Sequence, residues 1–184
     1  ARRESPFDRQ LYSVPLAGGT LERLTTAPGW HEAKRSPDGN WVATLFSDLV
    51  TPTDLWVGAP GAAPAAWKRV TFSPAPDFEA ARLISPRVVS IPTRRGGGKI
   101  AGLLWEPTGP VPKGGRPAIV YVHGAGYAQD VKRSFNRLGG FHSFMARQGY
   151  AVLSVDYRGS EGYGRAWRVA VYKALGDLDL DDSI

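Results

Sequence analysis

Cysteine is absent from the 184 residues, which excludes disulfides, thiolate metal sites and a cysteine nucleophile. Long apolar runs are absent as well, and no stretch approaches the ~18 residues that a membrane-spanning helix needs. The opening Ala1-Arg2-Arg3-Glu4-Ser5-Pro6 holds no apolar core of a signal peptide. A soluble protein is expected, with its compartment open between cytoplasm and periplasm or secretion. Histidine is scarce: His31, His123 and His142 are the whole complement. They lack the i, i+4 spacing of a metal-binding helix, so no metal is expected. The Gly-rich run Gly159-Ser160-Glu161-Gly162-Tyr163-Gly164 is not a phosphate or dinucleotide fingerprint, and no cofactor is expected.

What is plentiful is turn chemistry. Glycine numbers 22 and proline 15, which predicts many short elements. The net charge of +6 is uneven: residues 1–92 carry 10 basic and 9 acidic groups, residues 93–184 carry 13 and 8. A nucleic-acid reader would cluster that excess among stacking aromatics. Here the one tight cluster is Arg94-Arg95-Gly-Gly-Gly-Lys99, which reads as a hairpin tip, so neither nucleic acid nor membrane is an expected partner.

The first third reads as short strands and turns. Leu11–Leu16, Leu21–Leu24, Trp41–Phe46 and Asp54–Val57 are the strand candidates, and Ser36-Pro37-Asp38-Gly39 is a turn. Four such strands in under 50 residues match one antiparallel propeller blade. Residues 58–66 are a Gly/Pro/Ala linker, and the expected division is 1–66 and 67–184. In the second part Val88–Pro92 and Ile100–Trp105 form a hairpin, and Ala118–Val122 is an apolar run expected to be covered on both faces. Phe135 to Met145 follows helical spacing and Tyr150–Val155 is a second buried strand. Trp167, Ala170, Val171, Ala174 and Leu175 predict an amphipathic helix. The alternation of strand and helix predicts an α/β sheet with an antiparallel start and parallel strands.

Chemistry is expected at His123-Gly124-Ala125-Gly126, where small residues follow a buried strand. Such a turn presents backbone N–H groups to a ligand, and in α/β-hydrolases it supplies one oxyanion-hole donor. A tight strand-to-loop turn without a catalytic part would read the same. His123 either orients that turn or is a satisfied structural histidine; His142 reads as a core or rim residue and His31 as a turn residue. Asp177-x-Asp179-x-Asp181-Asp182 has the beginning of a calcium loop, but Asp182 stands where that loop needs glycine. Acidic residues opening a helix account for it.

Several of these segments together resemble the prolyl oligopeptidase-type serine peptidases, the group of dipeptidyl peptidases, acylaminoacyl peptidases and oligopeptidases. The blade segments, the hairpin of Pro86 to Pro107, the turn His123-Gly124-Ala125-Gly126-Tyr127-Ala128-Gln129 and the stretch Asp156-Tyr157-Arg158-Gly159-Ser160 through Trp167 carry the resemblance. It implies the last propeller blade followed by the N-terminal half of an α/β-hydrolase domain, both incomplete. It implies peptide substrates, with Gly124 and Ala125 forming the oxyanion turn and Tyr127, Arg158, Tyr163 and Trp167 lining the pocket. No Gly-x-Ser-x-Gly elbow occurs, so the Ser-Asp-His triad is expected beyond residue 184. The remaining polypeptide is then a partner, a homo-oligomer is possible, and the isolated piece is expected to be inactive, with an unpaired sheet edge. An esterase on the same fold, or a non-catalytic relative, is the alternative.

Overall fold

A computed structural model describes residues 4–124 and 127–184. Two compact units result: residues up to Arg82 with Lys132–Asn136, and Leu83–Val131 with Arg137–Ile184.

In the first unit β1 (Tyr12–Ser13) and β2 (Glu22–Arg23) pair as a two-stranded ribbon. A separate antiparallel sheet runs β3 (Trp30–Arg35), β4 (Val42–Ser47), β5 (Asp54–Gly58) and β6 (Lys68–Arg69) in sequence order. A four-stranded sheet was expected from residues 11–57, but its membership differs. Trp30–Arg35 carries little apolar alternation, yet all six residues pair with β4, from Trp30 opposite Ser47 to Arg35 opposite Val42. The turn Ser36–Gly39 closes that hairpin, with Gly39 at φ 77° and its N–H bonded to the Ser36 carbonyl at 2.9 Å. The fourth strand lies past the linker, because Val57 pairs with Lys68 and Trp56 with Arg69. Residues 64–66 make a short helical turn on the way, followed beyond β6 by α1 (Pro76–Ala80).

Leu24, Val42 and Trp67 form the buried core of this unit, flanked by Leu11, Ala33, Trp56 and Ala62. A buried carboxylate ties its last strand down. Asp54 accepts from Arg69 Nε at 3.0 Å, Thr71 Oγ1 at 2.6 Å, Ser73 N at 2.9 Å and Ser73 Oγ at 2.8 Å. Burial alone would raise its pKa, but these donors hold it well below the carboxylate range.

The second unit is a mixed sheet of β7 (Arg87–Pro92), β8 (Lys99–Trp105), β9 (Ala118–Val122) and β10 (Ala151–Asp156), in the order β7-β8-β10-β9. The β7–β8 and β8–β10 pairs are antiparallel; β9 and β10 are parallel, joined through α2 (Arg137–Arg147). Gly96, Gly97 and Gly98 at the β7–β8 tip all take positive φ, which side chains with a Cβ resist. Two short helices follow, α3 (Arg165–Arg168) and α4 (Leu178–Ser183).

Two expectations are corrected here. First, β9 is not covered on both faces: it is an edge strand, and Val120 and Val122 are exposed. Its apolar run resembles that of a central strand, and only the strand order tells the two apart. Second, the amphipathic pattern of residues 167–175 does not make one helix. Helical backbone stops after Arg168, Lys173 adopts φ 59°, and Tyr172 and Leu175 point to solvent while Val171 is buried. A right-handed helix cannot pass through a left-handed residue, whatever its periodicity.

Among the described residues no helix is long and apolar enough to cross a membrane.

Candidate active site

The parallel register sets the site. Val122 lies opposite Val155, so the chain leaves both strands side by side, at His123 and at Asp156. The carboxyl ends of parallel strands are where α/β sheets bind ligands.

His123 is buried and held on three sides. Its Nδ1 lies 2.9 Å from the Gly124 carbonyl and its Nε2 lies 2.8 Å from Ser160 Oγ and 3.5 Å from Asp156 Oδ1. Tyr157 stacks on the imidazole at 4.5 Å, and its hydroxyl donates to the His123 carbonyl at 2.9 Å. Asp156, with no exposure at all, gathers the segment after the turn. It accepts the N–H groups of Asp130 at 2.8 Å and Val131 at 3.1 Å and the Tyr163 hydroxyl at 2.7 Å. The Glu161 N–H bonds to the Ala128 carbonyl at 3.1 Å, so the loop after β10 is laced to the loop after β9.

Ser160, His123 and Asp156 are the residue types of a catalytic triad, but their arrangement is not one. A triad places serine and carboxylate on opposite ring nitrogens. Here both face Nε2, while Nδ1 faces a carbonyl, and Ser160 is fully buried. The cluster instead fixes the backbone where β9 turns into Gly124.

Electrostatics support that role. Burial disfavours a charged His123, but Asp156, the Gly124 carbonyl and Asp130 outweigh it and raise the pKa above its ordinary 6.5. Burial, with help from Asp179, Asp156 and Asp130, raises Tyr157, which keeps its phenol protonated as a donor. Because the folded pKa of His123 is raised, its stabilisation is complete below about 6.5 and fades as pH climbs through the folded value. Unfolding midpoints of wild type and His123→Gln from pH 5 to 9 check this: the wild-type advantage is expected to shrink with rising pH. An advantage that grows with pH would exclude a stabilised imidazolium.

A pocket of about 320 Å³ adjoins the cluster, lined by Tyr127, Tyr157, Gly159, Val171, Tyr172, Lys173 and Leu175. Of the residues singled out from sequence, Tyr127 is on its wall, half exposed, with φ 68°. Gly124 is exposed at the strand end. Ala125 lies outside the described residues. Tyr163 points its hydroxyl at Asp156, and Trp167 donates to the Tyr157 carbonyl at 3.2 Å, so both stand behind the pocket. Arg158 is buried, with Nε 2.8 Å and Nη2 2.7 Å from the Asp182 carboxylate and Nη1 2.8 Å from the Arg95 carbonyl. It braces α4 and does not face the pocket.

The acidic run 177–182 has the same explanation. Arg95 of the glycine tip bonds both Asp177 and Asp181, and Asp182 takes Arg158. Arg95 of the basic tip is therefore paired within the chain. His142 packs between Trp105 and Tyr121, and burial lowers its pKa; His31, bonded to the Ala27 carbonyl at 3.0 Å, is lowered chiefly by burial too. Lys173 was not singled out from sequence, and Asp156, Tyr157 and Asp182 were noted there only within longer motifs, without a role in the site. A carboxylate closing an apolar strand beside a glycine turn was the one signal that could have flagged Asp156.

Comparison with known proteins places this geometry. Residues 140–184 match the profile of the Prolyl oligopeptidase family. A probable dipeptidyl-aminopeptidase B of Botryotinia fuckeliana is 26% identical over 199 aligned positions, covering 99% of this chain and 20% of that protein. Dipeptidyl aminopeptidase BIII of Pseudoxanthomonas mexicana is 45% identical over 49 residues, 27% of this chain and 6% of that one. The crystal structure of Porphyromonas gingivalis dipeptidyl peptidase 4 superposes with a TM-score of 0.77 at 22% identity, over 98% of this chain and 25% of that chain. The chain thus spans about a fifth of the length of the curated relatives that it matches end to end. The similarity runs through both units, with the profile match at the carboxyl-terminal end, and makes this chain similar to members of the prolyl oligopeptidase family.

Proposed function

We propose that this chain supplies the oxyanion turn and part of the substrate pocket of a serine peptidase that hydrolyses short peptides by acyl transfer. The β3–β6 sheet is read as a propeller blade and the β7–β10 sheet as the N-terminal half of the α/β-hydrolase domain. The observation that carries the reading is the clamp of Asp156, Ser160 and Tyr157 on His123, next to an aromatic pocket. A backbone fixed in advance is what oxyanion stabilisation requires, because the donor must already point at the charge that develops.

In this mechanism a serine outside the 184 residues attacks the peptide carbonyl, assisted by a histidine and an aspartate from the same remaining sequence. The carbonyl oxygen gains negative charge and is met by backbone N–H groups of the turn that begins at Gly124. Collapse of the tetrahedral intermediate releases the amine, and water then removes the acyl group.

A fluorophosphonate that labels active serines is the test. The isolated 184 residues are expected to take up none, whereas the intact protein takes up one equivalent and cleaves dipeptide naphthylamides faster than p-nitrophenyl esters. Labelling of the isolated chain would refute the missing-nucleophile reading, and a preference for esters would move the protein to the esterases.

A further inference from the structure

Among the described residues only Arg82, Tyr127 and Lys173 adopt positive φ without being glycine, and two of the three line one pocket. Strained backbone of this kind gathers at binding sites, where the surrounding structure holds it in place. The pocket walls are aromatic and aliphatic: Tyr127, Tyr157, Tyr172, Val171 and Leu175. Among the described residues no acidic side chain lines it, although the charges of Asp179, Asp156 and Asp130 reach Tyr157, and two cations attend it. Lys173 lies in the wall with Nζ 5.5 Å from the Tyr172 ring, and the Arg168 guanidinium sits 5.3 Å from the ring of Tyr127. Neither cation has an ion-pair partner among the described residues, unlike Arg95 and Arg158 nearby. Asp179, whose charge reaches Tyr157, accepts the Gly176 N–H instead.

We propose that this pocket is a subsite for a peptide carboxylate, either the C-terminal group or an aspartate or glutamate side chain. The apolar stem of that residue lies against Val171, Leu175 and the tyrosine rings, and Lys173 and Arg168 take its charge. A volume near 320 Å³ is at the small end of ligand pockets, as fits a single residue. The proposal rests on the peptidase reading and narrows it to acidic substrates.

The test uses four dansylated pentapeptides that differ only in glutamate or glutamine and in a C-terminal acid or amide. Binding to the intact protein is read by fluorescence anisotropy after fluorophosphonate treatment, so that no peptide is consumed. At low salt at least one carboxylate peptide is expected to bind about tenfold more tightly than the neutral one, as a charge-assisted contact would give. Which peptide gains identifies the source of the carboxylate. Lys173→Met and Arg168→Met are each expected to reduce the advantage to about twofold or less, and Lys173→Arg to restore it. Equal binding by all four peptides, or an advantage that survives both methionine variants, overturns the proposal. Hydrolysis of the neutral peptide by untreated protein is scored separately. Cleavage without carboxylate preference removes the subsite alone, and preference without cleavage of any peptide removes the peptidase reading alone.

Discussion

Replacing Asp156 with asparagine is expected to lower kcat of the intact protein about 100-fold while KM stays within about threefold. The carboxylate touches no substrate in this reading; it acts through His123 and through the loop of Asp130 and Val131. Asparagine keeps the volume but has one acceptor oxygen in place of two, so of the Asp130 N–H, the Val131 N–H and the Tyr163 hydroxyl at least one loses its partner. The negative charge that favours a protonated His123 is lost as well. The turn starting at Gly124 then loosens, and a shift on the order of 1 Å in a catalytic group is worth about 100-fold in rate. A loss in kcat without a matching rise in KM marks an interaction needed in the transition state. A purely structural role would instead reduce the amount of folded protein. Activity is therefore expressed per serine titrated by fluorophosphonate, and the pKa of His123 is followed in parallel. If kcat per titrated serine is unchanged in Asp156→Asn, the clamp has no part in catalysis.

The second large effect is on stability. Asp182→Asn is expected to destabilise the protein by about 3–5 kcal/mol, because it leaves the buried Arg158 guanidinium without its counter-charge. The Asp182 carboxylate faces Arg158 N, Nε and Nη2 at 2.7–2.9 Å, and both side chains are almost wholly hidden from water. Arg95→Met, which removes two ion pairs open to solvent, is expected to leave the denaturant midpoint almost unchanged. The double variant Arg158→Met/Asp182→Leu is expected to recover most of the loss, since neither charge is then stranded. Denaturant midpoints of the four proteins decide the matter. A double variant no better than Asp182→Asn would mean that packing, and not an unpaired charge, is what was lost.

Local signals in the sequence carried the hairpin of β7 and β8, its glycine tip, β9, α2 and β10. They also located the turn at His123 and Gly124. Each of these is encoded within a few residues by apolar runs or glycines, and such signals survive without knowledge of the partner. What was illegible is what depends on a distant partner. Trp30–Arg35 reads as polar and becomes a strand only because β4 pairs with it. The fate of residues 167–175 turns on Lys173, whose left-handed backbone no periodicity reveals. Arg158 looks like a pocket residue until Asp182, 24 positions later, is seen to hold it. The link from Asp156 to His123 spans 33 positions and arises only when two parallel strands end together.

The exposed edge of β9 has a consequence for how the protein is made. Ala118–Val122 holds no charge, no proline and no bulge, the usual means by which edge strands are kept from pairing with strangers. At ~5–20 residues per second, a ribosome takes seconds to deliver β10 and the short helices that follow β9 in the chain. During that interval the growing polypeptide displays a row of unbonded amides and carbonyls framed by Val120 and Val122. Nascent molecules on one message are close neighbours, so this is the interval in which a chaperone matters most to the yield of folded protein.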